Sequence, residues 1–161
     1  MQNYYIFLDI DGVLYDWQYL QTQPKTNGII RKFNPQSVSA LNYLIDNLSR
    51  EFNVTIVVTS TWRHNMQKTI SALKNNGVNI GKIKVDKIDS NLPESNRGAL
   101  ILNYLKLKQF ANFVIIDDEY FDFLECNLLS HLIKTNIKNN SLNMNLIKNY
   151  LINSKNVEKI N

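Results

Sequence analysis

Three apolar runs in this chain end in residues that carry chemistry, and this repeated ending restricts the fold more than any other feature. Tyr5-Ile6-Phe7-Leu8 runs into Asp9-Ile10-Asp11-Gly12. Val54-Thr55-Ile56-Val57-Val58 runs into Thr59-Ser60-Thr61, and Phe113-Val114-Ile115-Ile116 into Asp117-Asp118-Glu119. A short continuous apolar run reads as a strand buried on both faces, the pattern of a parallel sheet. In an open parallel sheet all carboxyl ends lie on one edge, where ligands bind. Acids from two strands and hydroxyls from a third would then converge. Taken singly, each ending is ordinary. Thr-Ser-Thr after a strand is commonly a helix cap, and Asp-Asp a solvated turn. Asp-x-Asp pairs also occur on surfaces and in calcium loops. The three together, each closing a buried strand, point to a site.

The first run is the most specific. Side chains alternate along a strand, so Asp9 and Asp11 are expected on one side, with Ile10 turned into packing. Two acids crowded at a strand mouth are costly unless a cation or a reaction needs them. Gly12 lets the chain turn away.

Helical patterns separate the strands. Asn34-Pro35 reads as a cap and first-turn proline. Val38, Leu41, Leu44, Ile45 and Leu48 follow as an apolar stripe. Trp62, Met66, Ile70 and Leu73 predict a helix ending before Gly77. Ile80, Ile83, Val85 and Ile88 predict one or two short extended pieces. A turn over 91–96 precedes a helix near 97–109, and a short helix is expected near 120–127. His131–Lys134 reads as a last strand, and Ser141 as the cap of a final helix. Residues 15–34, with Tyr15, Trp17, Tyr19, Pro24, Gly28 and Phe33, have no clear period and predict an irregular loop or hairpin. Alternating strands and helices predict an α/β fold, a three-layer Rossmann-like parallel sheet with helices on both faces. One domain is expected over 1–153, with a polar tail at 154–161.

Composition excludes several classes. The chain has 161 residues, 44% of them apolar and 20% charged, as in a soluble globular protein. No apolar run approaches a membrane span. Met1-Gln2-Asn3 leads straight into the first run, so no signal peptide is expected. Cys126 is the only cysteine, which rules out an intramolecular disulfide. Its apolar neighbours predict a buried structural thiol. His64 and His131 form no zinc pattern with it. These features together predict a cytoplasmic protein. A net charge of +4 and a pI of 9.1 fit either phosphorylated partners or a solvated lysine-rich surface.

Asp9-Ile10-Asp11-Gly12-Val13, Thr59-Ser60, a basic residue and Asp117-Asp118 resemble the four motifs of the haloacid dehalogenase-like (HAD) superfamily of phosphohydrolases. The resemblance spans roughly residues 4 to 135. Ser60-Thr61-Trp62-Arg63, Arg97-Gly98-Ala99-Leu100-Ile101 and Ile116-Asp117-Asp118-Glu119 resemble a small capless HAD group that includes domains associated with RNA or nucleic-acid repair. Many HAD enzymes insert a cap domain after the first motif or between the second and third. Residues 15–34 and 77–96 are too short for that, so no large cap is expected. An open site would accept a bulky or polymeric substrate end.

The resemblance implies a magnesium-dependent phosphomonoester hydrolase. Asp9 would be the nucleophile forming an aspartyl-phosphate, and Asp11 the general acid and then the base. Mg2+ suits hard oxygen ligands; Asp9, the Asp11 carbonyl and Asp117 would hold it, with Asp118 through water or as an orienter. Thr59 and Ser60 would bind phosphate, and either fits the second motif. Arg63 would grip phosphate or form a surface salt bridge. The third motif departs from the superfamily lysine: Arg97 fits best, with Lys87 second and Lys82 and Lys84 further candidates. Asp16 and Asp122 read as solvated loop charges. Trp17, Trp62 and nearby tyrosines are core residues or a stacking surface. The substrate would be a phosphorylated small molecule or a nucleic-acid end. Competing readings are a nucleotidase or polynucleotide end phosphatase and, in another class, a non-catalytic HAD-like binding domain. A receiver domain fits less well, because its phosphorylated aspartate follows a later strand.

Overall fold

The computed structural model describes residues 1–24, 32–89, 96–109 and 112–158. Its strands are β1 (Gln2–Leu8), β2 (Phe52–Val58), β3 (Lys84–Lys87), β4 (Asn112–Asp117) and β5 (Leu132–Lys134). They form one sheet in the order β3-β2-β1-β4-β5, and every pairing is parallel. The helices are α1 (Trp17–Gln21), α2 (Pro35–Leu48), α3 (Met66–Asn75), α4 (Arg97–Leu107), α5 (Phe121–Glu125) and α6 (Met144–Glu158).

Alternation along β1 feeds two cores. Tyr4, Ile6 and Leu8 pack with Leu41 and Leu44 of α2, Leu73 of α3 and Ile147 of α6. Tyr5 and Phe7 pack with Ile101 and Tyr104 of α4 and Phe123 of α5. This is the three-layer α/β arrangement that the sequence predicts. Ile6 is completely buried, and cutting such a side chain to alanine costs about 2–5 kcal/mol. The chain proceeds outward from β1 to β2 and β3, then crosses to β4 on the other side of β1. The carboxyl ends of β1 and β4 therefore face the crevice where the winding reverses.

Local chemistry sets the helix ends. Asn34 Oδ1 accepts from Gln36 N at 3.0 Å, with Pro35 at the first helical position. Asn96 Oδ1 caps α4 through Ala99 N at 2.9 Å. Gly77 follows α3 at φ +84, in the left-handed region where glycine is strain-free.

Several local expectations need correction. Residues 15–34 are not wholly irregular, because Trp17–Gln21 form α1. Gly28 and the rest of 25–31 lie outside the described residues. Asp16 is not a solvated charge. It is buried, its Oδ1 accepts from Tyr19 N at 2.8 Å and its Oδ2 from Ser141 N at 2.9 Å. Ser141 is consequently not the cap of α6. Asn143 Oδ1 takes that part, accepting from Leu146 N at 3.1 Å, while the Ser141 hydroxyl bonds Ser37. The helix expected from Trp62 begins as a 3-10 turn over Thr61–Asn65, and α3 starts only at Met66. Asn65 Oδ1 bonds Lys68 N there and restarts the helix. α6 continues to Glu158, into the stretch whose polarity predicts a tail. Residues 91–95 of the expected turn lie outside the described residues.

Cys126 is half-buried rather than buried. Burial, then Glu125 and Asp122, push its thiol up, which suits an inert sulfur. Among the described residues no helix is long and apolar enough to cross a membrane.

His131 stacks on Phe113 with ring centroids 4.1 Å apart. Burial, partly opposed by the Phe113 carbonyl, holds its pKa below the ordinary 6.5. A lowered histidine pKa means that the unfolded chain binds the proton more tightly. The stabilisation is complete above pH 6.5 and is lost as pH falls through the folded-state value. Urea midpoints should therefore drop on acidification below pH 6.5, with a shallower slope in His131→Phe. Parallel slopes would remove His131 from that account.

Candidate active site

Acids from β1 and β4 meet at the sheet's carboxyl edge. The Asp9 N–H donates to the Ile116 carbonyl at 3.0 Å, carrying the β1–β4 ladder one step past the end of β1. Asp117 is the last residue of β4. Carboxylate oxygens of Asp9, Asp117 and Asp118 all lie within 4.8 Å of one another. Asp9 and Asp117 are buried and Asp118 is half-buried.

Arg97, the first residue of α4, reaches into this group. Its Nη1 lies 2.7 Å from both carboxylate oxygens of Asp117 and 3.4 Å from Asp9 Oδ2. Its backbone N–H donates to Asp122 Oδ2 at 2.7 Å, so Asp122 anchors the start of α4 instead of being a free loop charge. Lys87 lies elsewhere. It ends β3 opposite Val58, two strands from β1, which at about 4.8 Å per strand separates the backbones by about 10 Å.

Burial dominates the electrostatics. It pushes Asp9 up to about 8, with Asp117 and Asp118 raising it further and Arg97 and the Ile10 N–H pulling it down. Asp117 is raised by burial against the pull of Arg97. Burial works against the Arg97 charge, but Asp117 and Asp9 outweigh it and raise its pKa. Three carboxylates thus face one guanidinium among the described residues. If all three were ionised, a divalent cation would cancel the deficit, and an all-oxygen donor set suits a hard ion such as Mg2+. The residues fit the metal.

Asp11 does not join the three acids. β1 ends at Leu8, so strand alternation does not govern residues 9 to 11. The Asp11 carboxylate instead accepts from Trp62 Nε1 at 3.2 Å. Trp62 is in turn set edge-on to Phe33, which stacks on Tyr15. Gly12 follows at φ +81, and a Cβ there would stand 2.7 Å from Asp118 Oδ2 and 3.0 Å from Ile137 Cβ. Gly12→Ala should cost about 1–2 kcal/mol in backbone strain and displace Asp118. The expected result is weaker Mg2+ binding by calorimetry; unchanged affinity would show that Asp118 does not touch the metal.

The second strand supplies hydroxyls. Thr59 N donates to the Leu8 carbonyl at 3.0 Å, placing it beside the start of the acid segment. Thr59 is 1% and Ser60 3% exposed, and neither hydroxyl oxygen has a hydrogen-bond partner among the described residues. A buried unsatisfied hydroxyl costs about 1–3 kcal/mol, a cost that a phosphate ligand would relieve. Arg63 is buried, and its Nη1 donates to the Thr59 carbonyl at 2.9 Å. Thr59, Arg63 and Arg97 line one small cavity of about 140 Å³. A larger groove of about 1220 Å³ lies along β2 and β3, lined by residues such as Asn53, Lys84 and Tyr104. It is lined by none of Asp9, Asp117 and Asp118, so volume does not mark this site.

Sequence reasoning missed the Trp62–Asp11 bond and the buried setting of Arg63, although both residues stand in the Thr-Trp-Arg that follows Ser60. It named Glu119 but gave it no role; its N–H donates to Asp117 Oδ1 at 2.8 Å and its carboxylate accepts from Tyr120 N and Phe121 N.

A doubly wound parallel sheet with this acid edge defines an α/β domain of the HAD class. More narrowly, the model of the HAD domain in Swiss Army Knife RNA repair proteins matches residues 5–140, and the chain belongs to that family. No curated protein and no solved structure gives a match. Membership supports a phosphatase-type function.

Proposed function

We propose that the protein is a Mg2+-dependent phosphomonoester hydrolase that works through an aspartyl-phosphate on Asp9 and acts on phosphorylated nucleic-acid ends. The observation that carries this reading is the convergence of Asp9, Asp117 and Asp118 on Arg97, beside the unsatisfied hydroxyls of Thr59 and Ser60.

An Asp9 oxygen attacks phosphorus, and the bond from phosphorus to the ester oxygen breaks. Asp11 gives its proton to the departing oxygen. A water then loses a proton to Asp11 and attacks phosphorus, and Asp9 leaves with inorganic phosphate as product. Asp9, Asp117 and the Asp11 carbonyl would hold Mg2+, with Asp118 bound directly or through water. When bound, the metal would neutralise charge between carboxylate and phosphate and keep Asp9 ionised. Arg97, Thr59 and Ser60 supply donors to the phosphoryl oxygens.

Trp62 aims Asp11. Trp62→Phe should lower kcat about ten-fold or more on ribose phosphates, whose leaving oxygen needs the proton. It should lower kcat far less on p-nitrophenyl phosphate, whose leaving group does not. Equal losses would leave Trp62 a packing residue.

The RNA repair family favours a nucleic-acid end over a free metabolite. So does the short chain length available for a cap: residues 15–34 and 77–96 fall far below the roughly 50 residues of a small domain. The test is phosphate release from mononucleotides and from 3′- or 5′-phosphorylated oligoribonucleotides, with Mg2+ and with EDTA. Magnesium-dependent release from the oligonucleotides is expected, weakening as salt rises. Strict preference for the mononucleotide would leave a nucleotidase. Binding without release would leave the non-catalytic reading.

A further inference from the structure

Immediately after the acid cluster the chain exposes two aromatic rings. Phe121 is 70% and Tyr120 41% exposed, while Phe123 of the same helix is fully buried and supplies the core contact. The rings meet edge to face, with centroids 5.7 Å apart and planes at 86°. Leu124, one turn on, is exposed as well.

The segment is held to the acids by a continuous set of hydrogen bonds. Glu119 N donates to Asp117 Oδ1, and Glu119 Oε1 accepts from Tyr120 N at 2.9 Å and Phe121 N at 2.8 Å. Leu124 N then bonds the Tyr120 carbonyl at 3.0 Å. Tyr120 stands two residues from Asp118, so their Cα atoms are at most about 7 Å apart. Aromatic side chains, with two rotatable bonds each, cost little entropy to engage. The same segment carries Glu119, Asp122 and Glu125. That charge repels a phosphodiester backbone, so what fits here is flat and neutral.

We infer that Tyr120 and Phe121 form a stacking platform for the base of the nucleotide whose terminal phosphate is held at Asp9. The inference rests on the nucleic-acid-end reading above and adds how that end is held. One sugar separates a terminal phosphate from its own base, a span comparable to the step from Asp118 to Tyr120. Stacking on aromatic rings is tolerant of base identity, so the platform selects for a base without selecting which one.

The test compares an end-phosphorylated oligoribonucleotide with the same oligonucleotide carrying an abasic terminal nucleotide. Tyr120→Ala/Phe121→Ala should reduce kcat/KM on the base-bearing end about ten-fold or more, the scale of one stacked base. It should leave the abasic end unchanged. The loss should persist between 50 and 200 mM salt, which phosphate contacts would not. Phe121→Trp should retain the preference. Leu107→Ala, which removes an exposed side chain at the far end of α4, should change neither substrate.

The same pair of oligonucleotides is measured by fluorescence anisotropy on an Asp9→Asn background, where binding is read without turnover. Equal losses on both ends, or no loss on either, would overturn the inference. No turnover by the parent on any substrate, with the binding difference intact, would overturn the phosphatase reading and support the platform.

Discussion

Replacing Asp9 with asparagine is expected to abolish phosphate release, by on the order of 10⁴-fold or more, while the fold persists. The amide nearly matches the carboxylate in shape but cannot attack phosphorus. Stability should move the other way. Asp9 is buried beside Asp117 and Asp118, and burial followed by their repulsion lifts its pKa from 3.8 to about 8. A raised carboxylate pKa means that the folded state holds the proton more tightly. Its contribution is therefore complete below the unfolded value near 3.8 and is lost as pH climbs toward 8. Asparagine removes that loss, so the metal-free variant should melt at or above the parent at pH 8. Circular dichroism melts and phosphate-release assays on the same samples check both halves. Turnover within a few-fold of the parent would falsify the covalent mechanism.

Arg97→Ala is expected to injure both stability and activity. It leaves Asp9 and Asp117 buried without the cation that bridges them. Breaking a buried pair costs 3–5 kcal/mol. Arg97 keeps about a third of its side chain in water, so a loss of about 3 kcal/mol at pH 8 without metal is expected. Removing a charged donor from the phosphoryl oxygens should lower kcat/KM by on the order of 10²-fold. Arg97→Lys should restore part of each loss, because an ammonium can also sit between the two acids. Lys87→Ala, on the outer strand, should change both readouts little. Large losses in Lys87→Ala with a mild Arg97→Ala would exchange the two assignments.

How far the sequence could be read follows from the range of each interaction. Strand runs such as Phe113–Ile116 are legible because burial on both faces leaves a local signature. The Asn34-Pro35 helix start is legible because a cap needs only its own next few residues. What failed depended on partners far along the chain. Asp16 looked like a loop charge because its second partner, the Ser141 amide, lies 125 residues away. Ser141 was lost as a cap for the same reason. Asp11 was expected beside Asp9 from strand alternation, but the strand ends at Leu8 and Trp62 takes the carboxylate. Arg97 stood out as a basic residue at a helix start, yet its bond to Asp117 required the β4–α4 packing to exist. Tyr120 and Phe121 gave no signal, because exposed aromatics near a site have no periodicity to betray them.

The most direct measurement is an acid quench during turnover of a substrate labelled with ³²P at its terminal phosphate, followed by digestion and mass mapping. The account predicts label on the peptide carrying Asp9, formed in Mg2+, absent in EDTA and absent in Asp9→Asn. Turnover at the full rate with no label on that peptide, or with label on another residue, would contradict it.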